Sequence, residues 1–323
     1  MPRHRCKGPV PFGHAHSGVL LFAACVLSIA SAQTTNTPAT ESNLYTLNVA
    51  VDEVSLTFHV ADFHGLPMND LKLNDLRILD NRKHPHQIVS FEVYRDLPVR
   101  FGILMDTSRS MLGYLRRNQA TANEYVTELL RKQTDRAFVM RFDSESKIVQ
   151  DWTSDIDALT SSLQNIATDR ASRLGGTALF DSIYKACRDQ FGTANPLAGN
   201  FILLFTDGFD NASHARLEDD IDICQKANTA IYVFSTEPKS IFSDGQKTLN
   251  KLTTQTGGVL FFDQTRETIW ADLRVIDANL RSQYRLVYKP QHFKRDSSFH
   301  QIKLDSPTRG GVITARSGYY ATP

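Results

Sequence analysis

The sequence predicts an α/β protein: a doubly wound, mostly parallel sheet of Rossmann-like type inserted into a β-sandwich-like domain formed by the two ends of the chain. Three observations carry this expectation. Two runs, VRFGILMD (Val99–Asp106) and NFILLFTD (Asn200–Asp207), are apolar almost without interruption, as strands buried on both faces of a parallel sheet are. Strand-like and helix-like periods alternate over the middle of the chain. On either side of that middle, apolar and polar residues alternate with period two and no useful helix appears.

Taken in order, residues 1–32 read as a signal peptide. Arg3, Arg5 and Lys7 make a positive start, Gly18–Ala32 is apolar, and Ala30-Ser31-Ala32 has the small-x-small form of a cleavage site. An uncleaved anchor and a lipid-modified Cys25 are the alternatives. Residues 33–43 are polar and predict a flexible start to the mature chain. Residues 44–96 predict the first part of the β-domain, with a turn at Asp80-Asn81 between two strands. His84 and His86, with His59 and His64 upstream, read as exposed hairpin residues rather than a metal site.

Residues 97–281 form the α/β unit. Strands are predicted at VRFGILMD, RAFVMRF, KIVQDW, NFILLFTD, AIYVFST and GVLFFD. Helices are predicted at 116–132, at DIDALTSSLQNI with Asp155 near its start, at TALFDSIYKACRDQF, at LEDDIDICQKAN, at QKTLNKLTTQTGG with a glycine stop, and at TIWADLRVIDANLRSQ. Residues 282–323 return to period two and supply the second part of the β-domain. An inserted unit of this kind suits a host whose own ends lie close together.

Charge and motifs exclude several function classes. Loss of the leader lowers Lys+Arg from 36 to 33 against 35 Asp+Glu, a formal −2, so nothing offers the basic surface that nucleic acid requires. No G-x-x-x-x-G-K-[ST] or G-x-S-x-G occurs, which argues against nucleotide binding and against the hydrolase nucleophile elbow. His214 is the nearest histidine in sequence to the polar loops, and no pattern pairs it with a serine. Asn211-Ala212-Ser213 matches an N-glycosylation signal and reads as incidental. Cys187 and Cys224 remain after the leader; no C-x-x-C is present, and two buried free thiols are favoured over a disulfide, which an oxidising compartment would permit.

The chemistry gathers at the ends of the two apolar strands. Asp106, Ser108 and Ser110 alternate where the first strand ends, and their oxygens suit a hard cation, Mg²⁺ or Ca²⁺/Mn²⁺. Asp207 ends the second strand. Between them Gly175-Gly176 presents Thr177 ahead of a helix. Open sheets bind ligands at the carboxyl ends of strands where the strand order reverses. The competing expectation is that these residues merely cap helices.

This set, D-x-S-x-S followed by Thr177 and Asp207, resembles the metal-ion-dependent adhesion site of von Willebrand factor A domains, and the likeness spans about Val99 to Asn279. The resemblance implies a sheet order of 3-2-1-4-5-6 with one antiparallel edge strand, serines and threonine as direct ligands, and aspartates acting directly or through water. The flanks, HGLPMNDLKLNDLRILDNRKHPHQIVSFE before the domain and YRLVYKP, FHQIKL and ITARSGYYA after it, resemble the exported VWFA-related Acidobacterial domain proteins. The expectation is an exported, periplasmic or secreted binding protein, not an enzyme. A divalent cation at this site would dock a protein ligand through that ligand's exposed Asp or Glu, in protein–protein interaction or adhesion. Membrane contact is expected only through a retained leader. Arg109, Phe209 and Asp210 are candidate rim contacts, with a solvated Arg109 and a simple turn at 209–211 as the plainer reading. A metal-dependent hydrolase and a module whose metal only stabilises loops are the alternatives.

Overall fold

In the computed structural model, residues 53–167, 175–192, 199–238, 243–262, 265–291 and 293–321 are described. The predicted leader, the polar segment after it and the start of the β-domain up to residue 52 lie outside these residues. The chain enters through β1 (Val54–Ala61), β2 (Arg77–Asp80) and β3 (Gln87–Tyr94). It then builds the α/β unit: β4 (Val99–Asp106), α1 (Leu115–Leu129), β5 (Arg136–Phe142), β6 (Ser146–Thr153), α2 (Ile156–Gln164), α3 (Leu179–Lys185), β7 (Gly199–Thr206), α4 (Leu217–Lys226), β8 (Thr229–Ser235), α5 (Asp244–Thr256), β9 (Leu260–Phe261) and α6 (Arg266–Leu280). It ends in β10 (Gln283–Lys289), β11 (Phe299–Asp305), β12 (Val312–Ala315) and β13 (Gly318–Tyr320).

The central sheet has the order β6-β5-β4-β7-β8-β9. All neighbours run parallel except β5 and β6. Every residue of β7 is buried, as is every residue of β4 but Arg100. Burial on both faces is the reason these strands carry no alternation. Side chains leave the sheet alternately. Phe101, Ile103 and Met105 meet α1, α2 and α6 on one face, while Leu104, Ile202 and Leu204 meet α3, α4 and α5 on the other. After β4 the chain moves outward to β5 on one side, and β7 then enters on the other. Strand order therefore reverses between β4 and β7, and the loops leaving those two strands face a common crevice.

The outer strands make two sheets, β12-β1-β10-β3 and β13-β11-β2. Each combines segments from both ends of the described chain: β1 pairs with β10 and β12, and β2 with β11. One apolar cluster, including Leu56, Phe58, Ile78, Tyr284, Leu286 and Ile302, draws on both sheets. β2 and β3 fall in different sheets. The turn expected at Asp80-Asn81 is present, with both Asn81 and Arg82 at positive φ, but residues 81–86 cross from one sheet to the other instead of closing a hairpin. His84 and His86 are exposed on that crossing and His64 is exposed as well, as expected, whereas His59 is buried within β1.

Three local departures have structural content. The helix expected over TALFDSIYKACRDQF is α3 followed by a wider π-helical turn, Ala186–Phe191. That turn carries Cys187, which is bonded to Cys224 of α4, so the expectation of two free thiols is corrected to a disulfide. Both cysteines are fully buried between the helices they join. Among the described residues of GVLFFD, Leu260 and Phe261 form the strand, paired with Val233 and Phe234. No helix among the described residues is long and apolar enough to cross a membrane.

Candidate metal centre

Asp106 ends β4 with no exposed surface. Its Oδ1 accepts a 2.8 Å hydrogen bond from the Ser108 amide, and its Oδ2 accepts one of 2.7 Å from the Thr206 hydroxyl at the end of β7. The carboxylate thus ties the two central strands together at the switch point. Burial pushes its pKa up to about 6; hydrogen bonds from Ser108 and Thr206 oppose this, and the nearby Asp207 adds to it. No ion pair among the described residues engages Asp106 or Asp207.

The serines follow on an extended turn. Ser108, buried and at φ −60°, ψ 165°, places its Oγ 3.3 Å from the Oγ of the exposed Ser110. Ser108 precedes a short 3₁₀ turn, Arg109–Met111, yet makes no side-chain cap to it, and α1 begins after Tyr114 without a side-chain cap. The capping explanation for the serines therefore fails: their hydroxyls are not committed to helix ends. Asp207, also buried, accepts a 3.2 Å bond from the Phe209 amide. Gly208 makes the turn between them at φ +85°, where an added Cβ would lie 2.7 Å from the Gly245 carbonyl oxygen at the start of α5.

Thr177 is held by the loop that follows β7. Its amide donates to Asn211 Oδ1 at 2.7 Å, and its carbonyl accepts from the amides of Asn211 and Ala212 at 3.0 and 3.2 Å. A Cβ at Gly176 would lie 2.1 Å from that same Asn211 Oδ1, so only glycine permits the clasp. The Ala178 amide donates to the Asp143 carbonyl at 2.7 Å, and the Thr107 hydroxyl to the Phe142 carbonyl at 3.0 Å. Loops after β4, β5 and β7 and the loop before α3 are therefore joined in one hydrogen-bonded ring.

Of the rim candidates, Arg109 and Phe209 are exposed, Phe209 at 47%. Asp210 serves differently from the rim contact expected. Its Oδ1 accepts from the Leu179 amide at 2.8 Å and from the Ser213 hydroxyl at 2.6 Å, so it caps α3 and braces the Thr177 loop. Sequence reading also passed over Thr206, Asn211 and Asp143. The first two lie in the segment Thr206–Asn211, TDGFDN, whose Asp, Gly and Asn are turn formers.

Residues 101–209 match the sequence model of the von Willebrand factor type A domain. The chain carries a von Willebrand factor type A domain. The match covers the Asp106 loop, Thr177 and Asp207, and the von Willebrand strand order 3-2-1-4-5-6 with an antiparallel edge is the order observed here. No curated protein matches the chain. Similar solved structures include BatB from Bacteroides thetaiotaomicron, 18% identical with a TM-score of 0.45, over 55% of this chain and 97% of that one. A von Willebrand factor type A protein from Catenulispora acidiphila is 15% identical with a TM-score of 0.45, over 72% of each chain. Proximal thread matrix protein 1 from the mussel byssus, in a structure with a zinc-occupied MIDAS motif, is 13% identical with a TM-score of 0.48, over 62% of this chain and 50% of that one.

The residues of this von Willebrand domain suit a divalent cation. Asp106 and Asp207 are both buried, the charge of Asp207 is near enough to add to the raised proton affinity of Asp106, and neither has a cationic partner among the described residues. Such a pair is costly alone and is relieved by a bound cation. Among the described residues no three His, Cys, Asp or Glu side chains gather as a metal group, so an ion here depends on hydroxyls as well as carboxylates. That donor set, oxygen throughout, favours hard cations.

Proposed function

We propose that this protein is an exported binding protein whose von Willebrand domain holds a divalent cation on Asp106, Ser108, Ser110, Thr177 and Asp207, and docks a partner protein through that ion. The observation that carries the reading is the pair Asp106 and Asp207 at the strand-order reversal, buried and without a counter-cation, beside serines not spent on capping. Five protein oxygens carrying two negative charges balance the charge of the cation but leave its coordination shell one oxygen short. Mg²⁺ seeks six oxygens, and a carboxylate from a partner would supply the sixth, held by direct attraction to the ion. Mg²⁺ leads on donor chemistry, with Ca²⁺ and Mn²⁺ sharing it. Exposed Arg109 and Phe209 are proposed to contact the partner around the ion.

Binding rather than catalysis is favoured by the placement of His214. Its ring is 96% exposed and its Nδ1 lies 3.2 Å from Asp181 Oδ2, so its partner among the described residues is an acid and not a serine of the centre. Export is supported by the apolar leader with its small-residue site and by the Cys187–Cys224 disulfide, a bond that persists in oxidising compartments. The flanking motifs support placement among the VWFA-related Acidobacterial domain proteins. A pull-down from the native cell envelope, with and without EDTA and with Asp207→Ala, tests the function. Partners lost under both perturbations are expected; an identical partner list under all conditions would refute docking through metal.

A further inference from the structure

The proposed metal occupies the carboxyl end of the central strands. At the amino end of β8, between α4 and the outer sheets, lies a cleft of about 530 Å³. That is within the range of small-molecule sites, about 300–1,000 Å³. Arg316 lines it. Its Nη2 donates to the Ser55 carbonyl at 2.7 Å, and its guanidinium carbon sits 5.9 Å from the centre of the Tyr319 ring. Its buried Nε has no partner, and no carboxylate pairs with it among the described residues. The other cations of the cleft are engaged. Lys226 pairs with Asp222 at 2.9 Å, and Arg285 donates to Ser55 Oγ at 3.0 Å and contacts the Tyr94 hydroxyl.

Lys226, Arg285 and Arg316 against Glu53 and Asp222 give the cleft lining a net single positive charge, beside the rings of Phe293, Tyr319 and Tyr320. Phe293 and Tyr319 stack with centroids 6.3 Å apart, giving a flat apolar wall. An adjoining cavity of about 40 Å³ also touches Arg316 and is lined by Tyr232, whose buried hydroxyl is likewise unpartnered. A half-buried guanidinium with its Nε unpartnered and no acid beside it is costly, and its planar fork matches a carboxylate. A phosphate dianion would exceed the net single positive charge of the lining.

We propose that this cleft binds a monoanionic organic carboxylate with an apolar or aromatic body, the carboxylate on Arg316 and the body against Phe293 and Tyr320. The site is independent of the metal centre. The ligand is either a free small acid or the carboxyl terminus of a polypeptide.

Calorimetric titration of the purified protein with 3-phenylpropionate, N-acetylphenylalanine, the amide of the latter and inorganic phosphate tests this. Both carboxylates should bind saturably at one per chain, with or without EDTA, and the amide should not. Arg316→Gln should weaken binding at least about tenfold, and Phe293→Ala should weaken it as well. Tighter binding of N-acetylphenylalanine would assign a polypeptide terminus, and tighter binding of 3-phenylpropionate a free acid; both support the site. The proposal is overturned by the absence of saturable carboxylate binding, by binding lost with EDTA, by phosphate binding more tightly, or by wild-type affinity in Arg316→Gln. Should that variant not fold, Phe293→Ala and the amide decide.

Discussion

The Thr206 hydroxyl donates a 2.7 Å hydrogen bond to Asp106 Oδ2, joining the carboxyl ends of β7 and β4 through a side chain with no exposed surface. This bond orients one carboxylate of the proposed centre without Thr206 itself being a ligand. Thr206→Val keeps the shape of the residue and removes the donor. Residues that orient a metal ligand typically contribute 10–100-fold in affinity, so Mn²⁺ binding by Thr206→Val should weaken by about that factor. Titration calorimetry checks it; unchanged affinity would show that Asp106 is held by other means.

The strongest ionic weld lies at the opposite end of β4. Arg281, at the end of α6, pairs with Asp135 at 2.8 Å and with Asp277 at 2.9 Å, all three buried. Burial opposes the charge on Arg281, but hydrogen bonds and attraction from Asp135 and Asp277 outweigh it and hold its pKa above the ordinary value. Asp135 also accepts from the amides of Val99 and Arg131, at 3.0 and 2.9 Å. Arg281→Met should lower stability by about 3–5 kcal/mol, because it strands Asp135 as a buried charge, and adding Asp135→Asn should recover part of the loss. Urea unfolding measures both; a loss below about 1 kcal/mol would contradict the network's role.

Asp220 stands in the reverse condition. It is fully buried in α4, and neither of its oxygens has a hydrogen-bond partner. Burial, reinforced by Asp219, Asp210 and Asp181, pushes its pKa up to about 10 from 3.8. The folded chain thus keeps a proton that the unfolded chain releases, and stability should fall as pH rises from about 4 towards 10. Asp220→Ala should flatten that part of the profile and raise stability at pH 8 by about 1–3 kcal/mol. Thermal unfolding across pH, with equal slopes for the two proteins, would refute this.

The Cys187–Cys224 bond closes a separation of 37 residues and ties the π-helical turn to α4. Constraint of the unfolded chain over such a loop is worth about 3–4 kcal/mol. Cys187→Ala with Cys224→Ala should lower stability by that order. Cation affinity should remain, since the bond touches none of the proposed ligands. A variant as stable as the parent would show the bond to be dispensable.

The sequence was most legible where burial leaves no choice. β4 and β7 are covered on both faces, so their composition announced parallel central strands, and the polar residues at their ends marked the crevice. The Asp106 loop was readable because its three side chains alternate over five consecutive positions. Partner choice was less legible. Period two marks β2 and β3 as strands but says nothing of which sheet each joins, and β2 pairs with β11, more than two hundred residues away. Asn211 and Asp210 looked like ordinary turn formers; that they clasp Thr177 and cap α3 depends on contacts across more than thirty residues. Cys187 and Cys224 lie on apolar helix faces that suit free thiols equally well, and only the packing of the two helices brings them together.

The central claim is that Asp106, Ser108, Ser110, Thr177 and Asp207 form one divalent-cation site. Titration of the metal-free protein with Mn²⁺, followed by calorimetry, tests it most directly. One saturable site that is abolished by Asp106→Ala and by Asp207→Ala, while circular dichroism shows both variants folded, is the result predicted. No saturable binding, or full binding in either folded variant, would contradict it.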